Sequence, residues 1–139
     1  MVCVGWDFLT GANSAEEALA RIEADERPLG VWLLDATAAR GLNRSSVIRR
    51  SRLNQTFAYQ IFAGLRQPSR DKLIQLAFGL GLGIEEACEL LERGGTSALR
   101  STCPRDVVVA FCLDRHLDIS ACDDVLWSLG QRTLVQPDA

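Results

Sequence analysis

Val47 to Ser69 reads VIRRSRLNQTFAYQIFAGLRQPS, and this stretch decides the fold. Its apolar residues recur at helical spacing in two short runs separated by Arg52-Leu53-Asn54. In the first run Val47, Ile48 and Ser51 share one face, and Arg44, Arg49, Arg50 and Arg52 are left for the other. Asn54 is a good helix N-cap, because its short side-chain oxygen can accept an otherwise orphaned backbone N–H. The second run then extends from Gln55 to about Phe62, with Phe57, Ala58 and Ile61 toward a core and Gln55, Thr56, Tyr59 and Gln60 outward. Gly64 ends it, and Gln67-Pro68-Ser69 starts the next helix. Two short helices joined by a three-residue turn are therefore expected, the first one basic.

Helical signals continue on both sides. Upstream, Ser14-Ala-Glu-Glu17 is a capping-box pattern opening an acidic helix through about Ala24, with Ala18, Leu19 and Ile22 as a thin apolar face. Met1 to Thr10, with Trp6 and Phe8 alternating with smaller residues, reads as an arm or short strand. Pro28 suits the first turn of a helix carrying Leu29, Trp32, Leu33 and Ala36, closed by Gly41, and Asn43 caps the basic helix after it. Downstream, Leu73, Ile74, Leu76, Ala77 and Leu80 mark a helix that Gly79, Gly81 and Gly83 should end. A further helix runs from Ile84 to Arg93, with Glu85, Glu86, Glu89 and Glu92 outward and Gly94-Gly95 as its stop. Residues 69–99 align without gaps on residues 104–134, an offset of 35, with Arg70/Arg105, Asp71/Asp106, Leu82/Leu117, Ile84/Ile119, Leu91/Leu126, Gly95/Gly130 and Leu99/Leu134 identical. Such a period marks stacked two-helix units, so a second helical hairpin is expected over Arg105 to about His116 and Ser120 to Leu129, with Val135 to Ala139 frayed.

Composition narrows the class. The chain has 139 residues, 47% of them apolar, enough for a real core. No apolar run is long enough for a membrane helix, and the start lacks the pattern of a secretion signal. Five cysteines, Cys3, Cys88, Cys103, Cys112 and Cys122, form no CxxC and suit buried thiols in a reducing cytoplasm. The net charge is -3, but Arg40 to Lys72 holds eight basic residues against Asp71 alone, a surplus of +7, and the remainder carries -10. A basic block on an acidic body is an electrostatic footprint for a polyanion. The Gly79-Leu-Gly81-Leu-Gly83 run follows no strand and reads as a helix-ending turn rather than a phosphate loop. His116, the one histidine, reads as a helix C-terminal residue, and Asp123-Asp124 as a solvated helix face. No spacing supports a catalytic, metal or cofactor site, so no enzyme is expected.

Arg27 to about Gly94 resembles the lambda-repressor-like, Xre/Cro-type helix-turn-helix regulators. The resemblance rests on Leu42-Asn43-Arg44, Leu53-Asn54, Ile61, Gly64-x-Arg66-x-Pro68-Ser69, and the run of Leu73, Leu76, Ala77, Leu80, Gly81 and Glu85-Glu86. The segment after Gly95 is similar to a tail found in some bacterial members. Three positions depart from the family pattern: Arg52 stands at a turn glycine, Ile48 at a small alanine, and Phe62-Ala63 where an acid is usual. The resemblance implies an all-α chain: an N-terminal arm and acidic helix (1–26), a five-helix DNA-binding domain (27–95) and a C-terminal helical hairpin on the same core (96–139). It implies a sequence-specific regulator of double-stranded DNA that works as a homodimer, with Gln55, Thr56, Tyr59 and Gln60 facing the major groove. Arg44, Arg49, Arg50, Asn54, Arg66 and Arg70 are then expected at phosphates, where they add affinity without reading sequence. The C-terminal hairpin, with Val108, Phe111, Val125, Leu126 and Trp127, is a candidate interface for the second copy or another protein. The alternative is a protein-interaction adaptor with weak or no DNA binding, suggested by the acidic total charge, Arg52 and Phe62.

Overall fold

One helix, Arg70–Leu80, lies at the centre, with every residue from Leu73 to Leu80 buried. A computed structural model describes residues 9–20 and 25–135, and among these all regular structure is helical. The helices are α1 (Ala15–Ala20), α2 (Leu29–Ala39), α3 (Arg44–Ser51), α4 (Gln55–Phe62), α5 (Arg70–Leu80), α6 (Ile84–Arg93), α7 (Pro104–Asp114) and α8 (Ile119–Ser128). The expected arm is described only at Leu9 and Thr10; Ile22 and the end of the acidic helix, and the chain beyond Val135, lie outside the described residues.

Capping places the helix starts. Asn43 accepts the Ser46 N–H at 2.8 Å, Asn54 the Phe57 N–H at 3.0 Å, and Asp118 the Ala121 N–H at 2.8 Å. Each side-chain oxygen satisfies an amide that the first helical turn leaves without a carbonyl. Pro28 sits one position before the first residue of α2, where its fixed φ fits and its missing N–H costs nothing. The expected apolar face of α1 does not form: Leu19 is exposed and the helix buries no residue.

A single apolar cluster runs from Trp32 in α2 to Leu134 after α8, so the C-terminal hairpin shares the core of the preceding helices. Helix α3 packs most extensively on α5, and Gly79 makes that approach possible. A Cβ at Gly79 would lie 2.6 Å from the Val47 carbonyl oxygen and closer still to Ser51 Oγ. The glycine therefore does not end α5, as its spacing with Gly81 and Gly83 predicts; it is an interior residue selected for close packing, and Gly81, at φ +69, makes the C-terminal turn. Gln75, buried in α5, donates from Nε2 to the Ser51 carbonyl at 3.0 Å, satisfying an acceptor left over at the end of α3. Gly30 plays a similar part between α2 and α4, where a Cβ would collide with the Phe62 carbonyl. Phe62 is buried beneath that contact, so the apolar residue whose sequence position suggested a partner protein is covered by its own chain.

The 35-residue repeat extends to individual bonds. Arg70 donates to both Asp106 oxygens at 2.9 and 2.8 Å and to the carbonyls of Ser97 and Ala98 at 3.0 Å. Arg105 donates to both Asp71 oxygens at 2.8 and 3.1 Å and to the carbonyls of Arg132 and Thr133 at 2.8 and 3.2 Å. Every partner in the second set is the 35-residue equivalent of its counterpart, Asp106 and Asp71 exchanging roles. This exchange is reciprocal: each arginine binds the aspartate of the other copy, the relation of a two-fold rather than of a stack of repeats. The turns match too. Leu82 N–H donates to Ala77 O and Leu117 N–H to Cys112 O, both at 3.0 Å, and the left-handed residue between is Gly81 in one copy and His116, at φ 55, in the other. His116 is thus the C-terminal residue expected.

Cys112 and Cys122 are buried between α7 and α8. Burial raises the pKa of both thiols, so they stay protonated and serve as small apolar packing groups. No described helix is long and apolar enough to cross a membrane.

Candidate nucleic-acid interface

Helix α4 turns Ala58, Ile61 and Phe62 into the core. At about 100° per residue, that burial leaves Thr56 and Gln60 at the middle of the outer face, with Gln55 and Tyr59 on one flank and Phe57 on the other. Gln55 and Thr56 are exposed, and Tyr59 and Gln60 half-buried. The half-burial has a visible cause. The Arg44 guanidinium lies 5.3 Å from the centre of the Tyr59 ring, and Arg66 donates from Nε to Gln60 Oε1 at 3.0 Å. Arg66 and Lys72 also lie over the Phe57 ring, at 5.9 and 5.2 Å from its centre. Aromatic faces thus orient three cations around the outer face of α4 without neutralising them.

The basic block divides by partner. Arg40 is paired with Glu86 at 2.7 Å, across from α2's end to α6. Arg70, expected at a phosphate, is instead held at the N-terminal end of α5 by a carboxylate and two carbonyls. Four of its five guanidinium N–H donors are used there, which commits the side chain to α7 and the loop before it rather than to α4. Arg44, Arg49, Arg50, Arg52, Arg66 and Lys72 have no carboxylate partner among the described residues. Six cations without a carboxylate partner among the described residues therefore lie on α3, in the turns that follow α3 and α4, and at the start of α5. Asn54 spends its side-chain oxygen on the Phe57 N–H, which leaves its amide N–H₂ as a donor beside the N-terminus of α4. Arg49 borders a shallow depression together with Ser45, Ile48, Leu53 and Gln55, so it flanks the same end of α4.

Arg52 takes φ 57 and ψ 29, the left-handed conformation expected at a position that favours glycine. A side chain there costs about 1 kcal/mol. Its guanidinium donates to Ser120 Oγ at the start of α8, linking the turn before α4 to the C-terminal hairpin. Lys72 was legible as a member of the basic block, but nothing in its spacing assigned it to this face. Lys72 enters it through the Phe57 ring, a contact between α5 and α4.

Among the described residues no group of three or more His, Cys, Asp or Glu could hold a metal ion. Of the hydrophobic residues expected at an interface in the C-terminal hairpin, Leu126 is in the core, Val108 and Val125 are half-buried, and Phe111 and Trp127 are exposed together with Val107 and Leu129. No family profile matches the chain, and no curated protein or solved structure shows significant similarity to it.

Proposed function

We propose that this protein is a lambda-repressor-like, sequence-specific binder of double-stranded DNA that regulates transcription, with α3 and α4 as its helix-turn-helix unit. The observation that carries the reading is the set of amides and unmatched cations around α4: Gln55, Thr56 and Gln60 outward, ringed by Arg44, Arg49, Arg66 and Lys72. Gln can bond bidentately to adenine, Thr can touch a thymine methyl, and the Tyr59 hydroxyl can reach backbone or base. Arg44, Arg49, Arg66, Lys72 and the Asn54 amide supply phosphate contacts; Arg70 is withdrawn from that list because four of its five guanidinium N–H donors are already used, and Arg50 because its guanidinium lies beside Gly81 at the C-terminal end of α5. Gln60 must release or share Arg66 to read a base, so the pair acts as one unit poised at the groove.

The reading includes a homodimer, since two copies read two half-sites one helical turn apart. The exposed Val107, Phe111 and Trp127 of the C-terminal hairpin are the apolar groups such a contact would cover. The adaptor alternative loses one of its supports, because Phe62 is buried in its own chain.

Selection of bound fragments from a random duplex pool, followed by mobility shifts over a salt series, tests the proposal. The observed affinity should fall with a log–log salt slope of about -0.9 for each phosphate neutralised, so four cations predict a slope of about -3.6. Converting Gln55 and Gln60 to Ala should abolish sequence preference and leave the salt-sensitive, non-specific binding. No shift on any duplex in dilute buffer refutes the proposal outright.

A further inference from the structure

A second cationic feature lies at the C-terminal end of α3. The ends of α3, α5 and α7 converge on the start of α8 around a cleft of about 380 Å³. Arg49, Arg50 and Arg52 line one wall, His116, Asp118 and Ser120 the other, and Phe78, Leu82, Leu113 and Ile119 form an apolar floor. The volume falls within the range of small-molecule sites. Arg50 and Arg49 have no carboxylate partner among the described residues, and Arg52 is held in place by Ser120 Oγ. Asp118 is the one acid on the wall, and one of its oxygens caps the Ala121 N–H.

Charge favours an anion here even after the helix ends are counted. Three helix C-termini each contribute about half a negative charge and the start of α8 about half a positive one. Three guanidiniums against these and Asp118 leave the cleft positive by about one elementary charge. The floor adds a second requirement. The floor is already closed to water, with Phe78 6% exposed and Leu82, Leu113 and Ile119 at 2% or less; it offers a ligand no hydrogen-bond partner, so the part of a ligand that rests on it has to be apolar.

We propose that this cleft binds a small organic anion, a carboxylate or phosphate monoester carried on a compact apolar group, through Arg50 and Arg52 with Arg49 at the rim. The ligand's charged end sits between the guanidiniums, and its apolar end rests on Leu82, Leu113 and Ile119. Bound there, it bridges the turn before α4 to the C-terminal hairpin, the two parts of the chain that Arg52 already joins through Ser120. The inference does not rest on the DNA reading: binding in this cleft by a protein that shifts no duplex would leave it standing and refute only the other.

The test is a titration of the full chain with phenyl phosphate and with benzoate, followed by methyl NMR of the Leu and Ile residues and by calorimetry. Saturable shifts at the Leu82, Leu113 and Ile119 methyls are expected with at least one of the two probes, and the stronger of them distinguishes a phosphate from a carboxylate site. Arg50→Gln and Arg52→Gln should each weaken that binding about tenfold, the loss of one charge-assisted contact, and Arg100→Gln should leave it unchanged. Both substitutions fall on exposed side chains, so the fold is retained. Failure of both probes to saturate overturns the proposal. So does binding that inorganic phosphate reproduces with no methyl shift, and so does affinity that neither arginine substitution alters.

Discussion

The two ends of α5 use arginine in opposite ways. At its N-terminal end Arg70 and Arg105 are each locked to a carboxylate and two carbonyls, and they join two copies of one helical hairpin. Near its C-terminal end Arg50 lies with its guanidinium 3.6 Å from the point where a Gly81 Cβ would stand, with no carboxylate partner among the described residues. The residue type is the same and the energetic role is not. A guanidinium saturated by a buried carboxylate holds elements together, because removal of either partner strands the other. An unmatched guanidinium at the surface contributes little to stability and is available to a ligand.

The largest effect should come from breaking the saturated set. Asp106, with a side chain only 3% exposed, accepts two bonds from Arg70 and one from the Arg100 backbone N–H at 3.0 Å. Asp106→Ala should cost about 3 kcal/mol in urea unfolding, and Arg50→Ala should change stability by less than about 0.5 kcal/mol. A similar loss in both would erase the distinction. The pH dependence sharpens it. Burial alone would raise the Asp106 pKa, but the Arg70 guanidinium and the Arg100 amide outweigh it and hold the carboxyl below its usual range. Asp25 is likewise held low by Arg27. A carboxyl with a depressed folded pKa contributes stability that is complete above its unfolded pKa of about 4 and is lost as pH falls through the folded value. Wild-type stability should therefore fall steeply below about pH 4, and Asp106→Asn should flatten that fall.

Gly79→Ala comes next. The added methyl meets the Val47 carbonyl and Ser51 Oγ, so α3 must shift away from α5 at a net cost of about 2 kcal/mol despite the better helix propensity of alanine. Because α3 carries the unmatched arginines, the same variant should broaden their NMR signals more than those of Arg70 and Arg105. Asp71→Asn tests the reciprocal pair from its more solvated side. Asp71 is 23% exposed, so the loss should be smaller than for Asp106, about 1.5 kcal/mol by the same unfolding measurement. Equal losses would mean that the two copies are energetically equivalent as well as geometrically so.

The smallest effect has the opposite sign. Arg52→Gly relieves a left-handed residue and gives up the bond to Ser120, for a net gain of up to about 0.5 kcal/mol. The stabilised variant should at the same time lose affinity for phenyl phosphate. Stabilisation with unchanged affinity would show that Arg52 has no part in the cleft.

Much of this was legible from residue order alone. Val47, Ile48 and Ser51 inward, Asn43 and Asn54 at helix starts, Gly41, Gly64, Gly81 and Gly95 at left-handed turns: these follow from local rules, because capping and helical periodicity act within a turn or two of the chain. The repeat was visible as identical letters 35 residues apart, which is also why a second hairpin could be expected. What could not be read was which partner each charged or small residue meets across the core. Arg70 and Arg66 look alike in the basic block, and only the docking of α7 against the start of α5 turns one of them inward to Asp106. Gly79 looks like the first of three helix breakers until α3 crosses it. The cleft between α3 and α8 has no signature at all, since its walls come from residues 49–52, 78–82 and 113–120. Local order follows from short-range sterics and hydrogen bonding, which a linear pattern records; the pairing of distant side chains depends on how the helices settle against one another, which it does not.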